Sequence, residues 1–365
     1  MSKKWARAAL IHPAFCGVAR AHLGELIEEL ADPWLARCES ALHDRRGTKR
    51  QREAGAGPKR ALVFTDRVLV TLVYLRTGLP HAALAELYGT ARSTVSRAVG
   101  EIRPLLAARG FAVPDRPGVR LRTLADVFAY AEAEGITLRI DGAETQVRRP
   151  KAHRPGRRAF VSGKKKQNTI KTTTVSDGQG RLLWSGADRP GRMHDQTAMR
   201  TEGIAEQFRQ RPKVKAEVDE GYRGLANEFP AQVSAPPKKP KEDASLGEQY
   251  AWREMRHRQS SARICVEHAN AELRQWRPLQ RYIGHREDYA ETHRAIASLV
   301  ADRSARRPTR RRTSTELVPA RQATYLINHQ PTRPGQHAQT PIADRAVRDC
   351  RSSRCCFPSH GSLMW

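Results

Sequence analysis

Apolar residues recur first at helical and then at strand spacing, and the period changes near Gly135. Over residues 19–43 the spacing is helical, with Leu23, Leu26, Ile27, Leu30, Leu35 and Leu42 as the apolar positions and a break expected at Asp32-Pro33. This segment reads as an arm that packs on the next domain. Residues 61–109 carry a tighter pattern. Thr65 is a candidate N-cap for a helix whose inward positions are Val68, Leu69, Leu72, Val73 and Leu75. Gly78 and Pro80 end that helix, Ala83, Leu84 and Leu87 form the next, and Gly89 turns the chain. A third helix follows with Val95, Val99 and Ile102 inward. A short helix, a glycine turn and a helix exposing small polar and basic residues make a helix–turn–helix pattern. Arg92, Ser93, Thr94, Ser96 and Arg97 are its candidate contacts to phosphates or base edges. A plain three-helix bundle would show the same apolar positions.

A linker with Pro114 and Pro117 and a short helix over residues 124–134 precede the change of period. Residues 136–142 read as a strand ending in Asp141, with Thr145 and Val147 as a possible continuation. Residues 164–175 form a second strand rich in β-branched side chains, 177–180 a hairpin turn and 181–186 a third strand. A loop then leads to Asp195, read as the cap of a helix running through Phe208. A fourth strand over 213–218 ends at Asp219 beside a glycine-rich turn, and residues 231–235 give a short fifth. The basic loop 236–243 leads into a long helix containing Glu267. The order predicts an α/β core in which an antiparallel meander lies beside parallel strands.

Charge changes the picture more than composition does. Lys plus Arg number 65 against 38 Asp plus Glu, a formal net charge of +27. Such an excess points to a polyanion, with double-stranded DNA as the default partner. No run is apolar enough to span a bilayer, so a membrane is not expected. The N-terminus lacks an apolar signal core, which predicts a cytoplasmic, nucleoid-associated protein. The six cysteines, Cys16, Cys38, Cys265, Cys350, Cys355 and Cys356, form no Cys-x-x-Cys pair, so reduced thiols and no structural zinc are expected. Cys350, Cys355, Cys356 and His360 are a minor alternative for metal binding.

The chemistry gathers around residues 261–274. Arg263, Glu267 and Arg274 follow at offsets of four and seven and share one helical face, beside an apolar stripe of Val266, Ala269 and Leu273. A carboxylate between arginines suits a phosphate-handling site, although many such faces are only solvated ion pairs. Two aspartates at strand ends, Asp141 and Asp219, strengthen the functional reading. Three carboxylates with no softer ligand suit hard divalent ions, Mg²⁺ or Mn²⁺, and two such ions can serve both sides of phosphodiester cleavage.

These pieces, Ile140-Asp141-Gly142, residues 189–195 (RPGRMHD), residues 218–224 (VDEGYRG) and residues 263–267 (RICVE), stand in the order seen in DDE-type transposases, which the chain resembles over roughly residues 60–303. The resemblance is nearest to the insertion-sequence-five group and the Harbinger-like endonucleases. It implies an RNase H-like core, Mg²⁺-dependent strand cleavage and strand transfer, and an oligomer that brings two element ends together. It gives Asp141, Asp219 and Glu267 the catalytic roles. Arg263 and Arg274 match the basic positions of the family's Tyr-x2-Arg-x3-Glu-x6-Lys signature, as grips on DNA phosphates. Ser260 stands where the family often has Tyr, and Arg274 where it has Lys.

The expected organisation is therefore an N-terminal arm and basic linker (1–60), a helix–turn–helix domain (61–112), an RNase H-like endonuclease domain (134–304) and a tail (305–365). The tail is rich in Arg, Pro, Thr and Gln with little periodicity, which suggests disorder and an origin outside the enzyme proper. A transposase is the first functional reading. A catalytically inactive, transposase-derived DNA-binding regulator is the alternative.

Overall fold

The computed structural model describes residues 3–48, 60–149 and 157–307, all within the unit Met1–Thr309. Most of the basic connector, the tail after Arg307 and the Cys350–Cys356–His360 group lie outside the described residues.

Helices come first: α1 (Lys3–Leu10), α2 (Pro13–Cys16) and α3 (Arg20–Arg46). The break expected at Asp32-Pro33 does not occur, and α3 runs through Pro33. A proline forfeits one helical hydrogen bond, and here the flanking Leu30 and Trp34 are buried, with the Trp34 ring 4.9 Å from that of Phe64. Packing outweighs the lost bond. The arm is indeed a packing arm. Arg7 pairs with the buried Asp66, and His22 Nε2 lies 2.9 Å from Asp302 Oδ2 near the far end of the chain.

The next three helices are α4 (Phe64–Thr77), α5 (His81–Tyr88) and α6 (Arg92–Ala108). Thr65 does not cap α4: Val63 holds the N-cap position and makes no side-chain capping bond. Buried Asp66 sits in that first turn instead. The inward positions Val68, Leu69, Leu72, Val73, Leu75, Leu84, Val95, Val99 and Ile102 are all buried. Gly89 takes the left-handed conformation (φ 54°) that turns α5 into α6, a backbone state that costs glycine little.

A two-stranded ribbon, β1 (Phe111–Ala112) with β2 (Arg120–Leu121), and α7 (Leu124–Glu134) lead to the sheet. Its strands are β3 (Leu138–Val147), β4 (Thr169–Ser176) and β5 (Leu182–Pro190), followed after α8 (Asp195–Thr201) and α9 (Ile204–Gln210) by β6 (Ala216–Val218). Then come α10 (Arg223–Glu228), β7 (Val233–Ser234), α11 (Leu246–Leu273), α12 (Arg277–Gln280), β8 (Arg281–Tyr282) and α13 (Tyr289–Ala305). The strand order is β5-β4-β3-β6-β7, with β8 also on β3. The β3–β4–β5 pairs are antiparallel, and β6, β7 and β8 join in parallel. This is the predicted meander beside parallel strands, a mixed sheet flanked by helices.

Several boundaries moved: the third strand runs on to Pro190, and the fourth and fifth shrink to Ala216–Val218 and Val233–Ser234. The second strand starts at Thr169 rather than residue 164, because Lys164, Lys165 and Lys166 are exposed in a turn where their like charges stay solvated. The helix expected over 195–208 is two helices broken at Gly203. Asp141 lies within β3 rather than at its end, since β3 continues to Val147.

Register explains what each face of the sheet meets. Asp141 pairs with Thr174 and Thr174 with Ser185, so these three side chains share one face. On that face Asp141 meets Asn270 of α11, and Ser185 meets His293 of α13. Gly142, Thr173 and Gly186 form the next row, on the opposite face. There Tyr222 and the head of α8 press on Gly142.

Candidate functional site

Parallel pairing of β3 with β6 ends at Ile140 opposite Val218. Asp141 and Asp219 are the next residue on each strand, so the topology sets two carboxylates side by side where the strands part. Helix α11 crosses above them. Its stripe of Val266, Ala269 and Leu273 is buried as the spacing predicted. The turn after β4 fixes the helix from below: Cys265 Sγ donates to the Gly178 carbonyl at 2.9 Å.

The helix delivers Arg263 to both carboxylates. Arg263 Nη1 is 2.8 Å from Asp219 Oδ1, and Nη2 is 3.9 Å from Asp141 Oδ1. Two turns on, Asn270 Nδ2 donates to Asp141 Oδ2 at 2.9 Å, and the Gly142 backbone N–H donates to Oδ1 at 2.8 Å. Burial pushes the Asp141 carboxyl up from the usual range. Arg263 and the Gly142 N–H pull it down, and Asp219 and Glu267 push it up further. Two polar atoms here, Asn270 Oδ1 and Arg263 Nε, are buried without a hydrogen-bond partner. The site is thus left partly unsatisfied, which is uncommon for buried polar groups.

Glu267 shares the helical face of Arg263 but is exposed. It reaches Asp141 through its charge, while the structure places only Asp141 and Asp219 in one cluster with Arg263. Arg274 is exposed at the C-cap of α11, close enough to weigh on the charge of Lys165. Ser260, at the position where a tyrosine was anticipated, is exposed on the same helix.

Three partners escaped the sequence reading. Asn270 lies seven residues after Arg263, and that same-face offset was the available signal. Lys171 and Tyr222 gave none, because their partner is distant in sequence. Asp195 was expected to cap α8, but His194 is the N-cap, its Nδ1 accepting from the Gln196 N–H. Asp195 occupies the first helical position, and its Oδ1 takes Lys171 Nζ at 2.6 Å. Its other oxygen lies where a Cβ on Gly221 would sit, 2.7 Å away, and the Tyr222 hydroxyl fills the same space at Gly142. Any side chain at Gly142 of β3 or at Gly221 after Asp219 would drive these groups apart, so both positions beside the aspartates need glycine. Tyr222 is deeply buried. Burial, with Asp195 and Asp141 next in effect, holds its phenol well above the ordinary value.

In the helix–turn–helix segment, Arg92, Ser93, Ser96 and Arg97 are exposed along the first half of α6 and Thr94 is half-buried. Ser96 Oγ is already engaged, 2.8 Å from His81 Nδ1 of α5. The remaining small and basic side chains leave that surface open to a groove.

Among the described residues no group of three or more His, Cys, Asp or Glu is gathered closely enough to hold a metal ion. The donors nonetheless fit a hard divalent cation in kind. Asp141 and Asp219 offer only oxygen, they are adjacent, and they already share one positive charge in Arg263. No helix of the described residues is long and apolar enough to cross a membrane.

Comparison with known proteins agrees with this architecture. Residues 60–112 match the family described as the helix-turn-helix of DDE superfamily endonuclease, and residues 140–301 match the DDE superfamily endonuclease itself. The chain is 28% identical over 227 residues to the probable transposase for insertion sequence element IS702 of Microchaete diplosiphon, covering 62% of this chain and 74% of that protein. No solved structure matches. With a helix–turn–helix followed by a mixed sheet that sets Asp141 beside Asp219 under an arginine-bearing helix, residues 60–112 and 140–301 of this chain carry the two domains of the DDE superfamily endonucleases.

Proposed function

We propose that the protein is a transposase that binds the ends of its own insertion element and cuts and rejoins DNA there. The observation that carries this reading is the placing of Asp141 within β3 beside Asp219 just past the end of β6, bridged by Arg263 from the helix that bears Glu267. The similarity to a transposase and the +27 charge support it. In this reading α6 enters a major groove with Arg92, Ser93, Thr94, Ser96 and Arg97 toward the DNA. Arg274, exposed at the end of the helix that carries Arg263 and near enough to Lys165 to act on its charge, is the second basic group assigned to phosphates in this reading.

The DDE superfamily generally depends on divalent metal. Asp141, Asp219 and Glu267 would hold Mg²⁺ or Mn²⁺, two ions in the full reading. Bound there, the metal supplies Lewis-acid activation of a water or a 3′-hydroxyl and stabilises the leaving oxygen. The chain's own groups do the positioning. Asn270 and the Gly142 N–H fix both oxygens of Asp141. The insertion-sequence-five or Harbinger-like subgroup, a homo-oligomer at paired ends and a cytoplasmic, nucleoid-associated location belong to the same proposal, as does the division at residues 61–112 and 134–304.

The deciding experiment is cleavage and joining of labelled DNA carrying the element's end, with Mg²⁺ or Mn²⁺, for the wild type and Asp141→Asn. Loss of a catalytic carboxylate typically costs several orders of magnitude in rate, so the variant should bind DNA and fail to cut. A variant that still cuts at near wild-type rate would sink the assignment. One observation favours the inactive regulator: Glu267 is exposed rather than packed with the pair. Specific end binding without cleavage by the wild type would support that reading.

A further inference from the structure

The guanidinium of Arg263 lies on the same two oxygens that a divalent cation would claim. It faces Oδ1 of Asp219 at 2.8 Å and Oδ1 of Asp141 at 3.9 Å. The other Asp141 oxygen is taken by Asn270 Nδ2, and Oδ1 already accepts the Gly142 N–H. A second cation cannot share this space without strong like-charge repulsion at short range. Arg263 is also poorly settled, because its buried Nε has no hydrogen-bond partner. A guanidinium prefers a bidentate partner, and a DNA phosphate offers one.

We propose that Arg263 is an exchange element: it neutralises the Asp141–Asp219 pair, and it leaves that pair for a DNA phosphate as the divalent cation takes its place. This inference rests on the transposase reading and deepens it. Metal and DNA then bind with positive coupling, since each favours the arrangement that admits the other. The chain would carry little metal away from DNA, and nuclease chemistry would be confined to bound ends. The role is one of positioning and gating, so its test must read more than activity.

The test is Mn²⁺ binding to the full chain, followed by the electron paramagnetic resonance of free Mn²⁺, with and without a DNA duplex bearing the element's end. The counted site is the one that Asp141→Asn abolishes. For the wild type, DNA should tighten Mn²⁺ binding by ~10-fold or more, within the usual range of coupling energies. Arg263→Ala should bind Mn²⁺ more tightly without DNA, and DNA should then add little. Arg263→Lys, which keeps one charge but cannot span two carboxylates, should fall between and guards against a folding artefact. Arg258→Ala, which removes a cation of the same helix that pairs with Glu254 and touches neither aspartate, should keep the coupling. Equal coupling in wild type and Arg263→Ala overturns the exchange. Absence of any Mn²⁺ site sensitive to Asp141→Asn, even with DNA, overturns the metal-dependent reading as well, and so the two failures are distinguishable.

Discussion

Two largely buried aspartates of this molecule, Asp302 and Asp141, face arginine to opposite effect. Asp302 of α13 receives His22 from α3, Arg109 from the end of α6 and Arg120 from β2, at 2.9, 2.7 and 2.6 Å. Arg109 also grips Glu29 at 2.6 Å, so the N-terminal arm, the helix–turn–helix and the sheet domain are tied at one hub. Burial opposes ionisation of Asp302, but the His22 hydrogen bond, Arg109 and Arg120 more than reverse it, and its carboxyl is held far below the usual range. Asp141 is also mostly buried, yet its carboxyl is raised. It has one distant guanidinium and two carboxylate neighbours, and unsatisfied atoms beside it. The number of hydrogen-bonding cations decides the outcome, not burial. A satisfied carboxylate is structural. A raised one, crowded by its own kind, is the sort of group that gathers at functional sites.

The largest expected effect tests the structural side. Asp302→Asn leaves Arg109 with Glu29 as its one remaining carboxylate and turns a neutral amide toward His22 and Arg120, which should destabilise the fold by ~3 kcal/mol, the low end of the cost of breaking a buried pair. Urea unfolding would read it. A loss within experimental error would mean that the hub is dispensable and the contrast with Asp141 is empty.

His293 sharpens the contrast in a different pH window. It lies on the sheet face that carries Asp141, with Nε2 2.7 Å from Ser185 Oγ, and burial lowers its pKa to about 4. The unfolded histidine titrates near 6.5, so between the two values the unfolded chain binds more protons. The contribution is complete above pH ~6.5 and is lost as pH falls toward 4, to the extent of about 3 kcal/mol. His293→Gln should flatten stability over that window. Asp302, whose folded pKa is depressed, contributes above its unfolded value near ~3.9 and fades only below it. If the acid loss of stability persists unchanged in His293→Gln, the assignment to this group is wrong.

Much of this was legible in the sequence. The β-branched run of β4, the stripe Val266–Ala269–Leu273 and the glycine turn of the helix–turn–helix follow from periodicity, which is a local property. Asp141 and Asp219 could be singled out because each follows an apolar strand pattern and has a glycine within two residues. What could not be read is pairing at a distance. Strand β8 is two residues long and exists only because Gln146 and Val147 of β3 accept it. The Lys171–Asp195 pair and the Asp302 hub join residues that no spacing rule connects. Continuity of α3 through Pro33 was missed because local propensity was overruled by Trp34 packing. Glu267 shows the converse: its helical face was foreseen, while its exposure depends on how α11 lies over the sheet.

The smallest effect is the sharpest discriminator. Asp141→Asn should change stability at neutral pH by no more than ~1 kcal/mol, because a buried carboxylate with a raised pKa contributes little that an amide of the same shape does not. Its acid behaviour should be opposite in sign to that of Asp302→Asn. In the wild type the folded Asp141 binds a proton more readily than the unfolded one. Through that interval, above the unfolded value, the folded state gains stability as pH falls. Removing the group removes the gain, so Asp141→Asn should lose stability more steeply toward acid than the wild type, and Asp302→Asn less steeply. Two aspartates, both largely buried and both facing arginine, would then displace the same acid-unfolding curve in opposite directions. Parallel shifts in the two variants would show instead that Arg263 holds Asp141 as firmly as Arg109 and Arg120 hold Asp302, and Asp141 would have to be counted among the structural ion pairs.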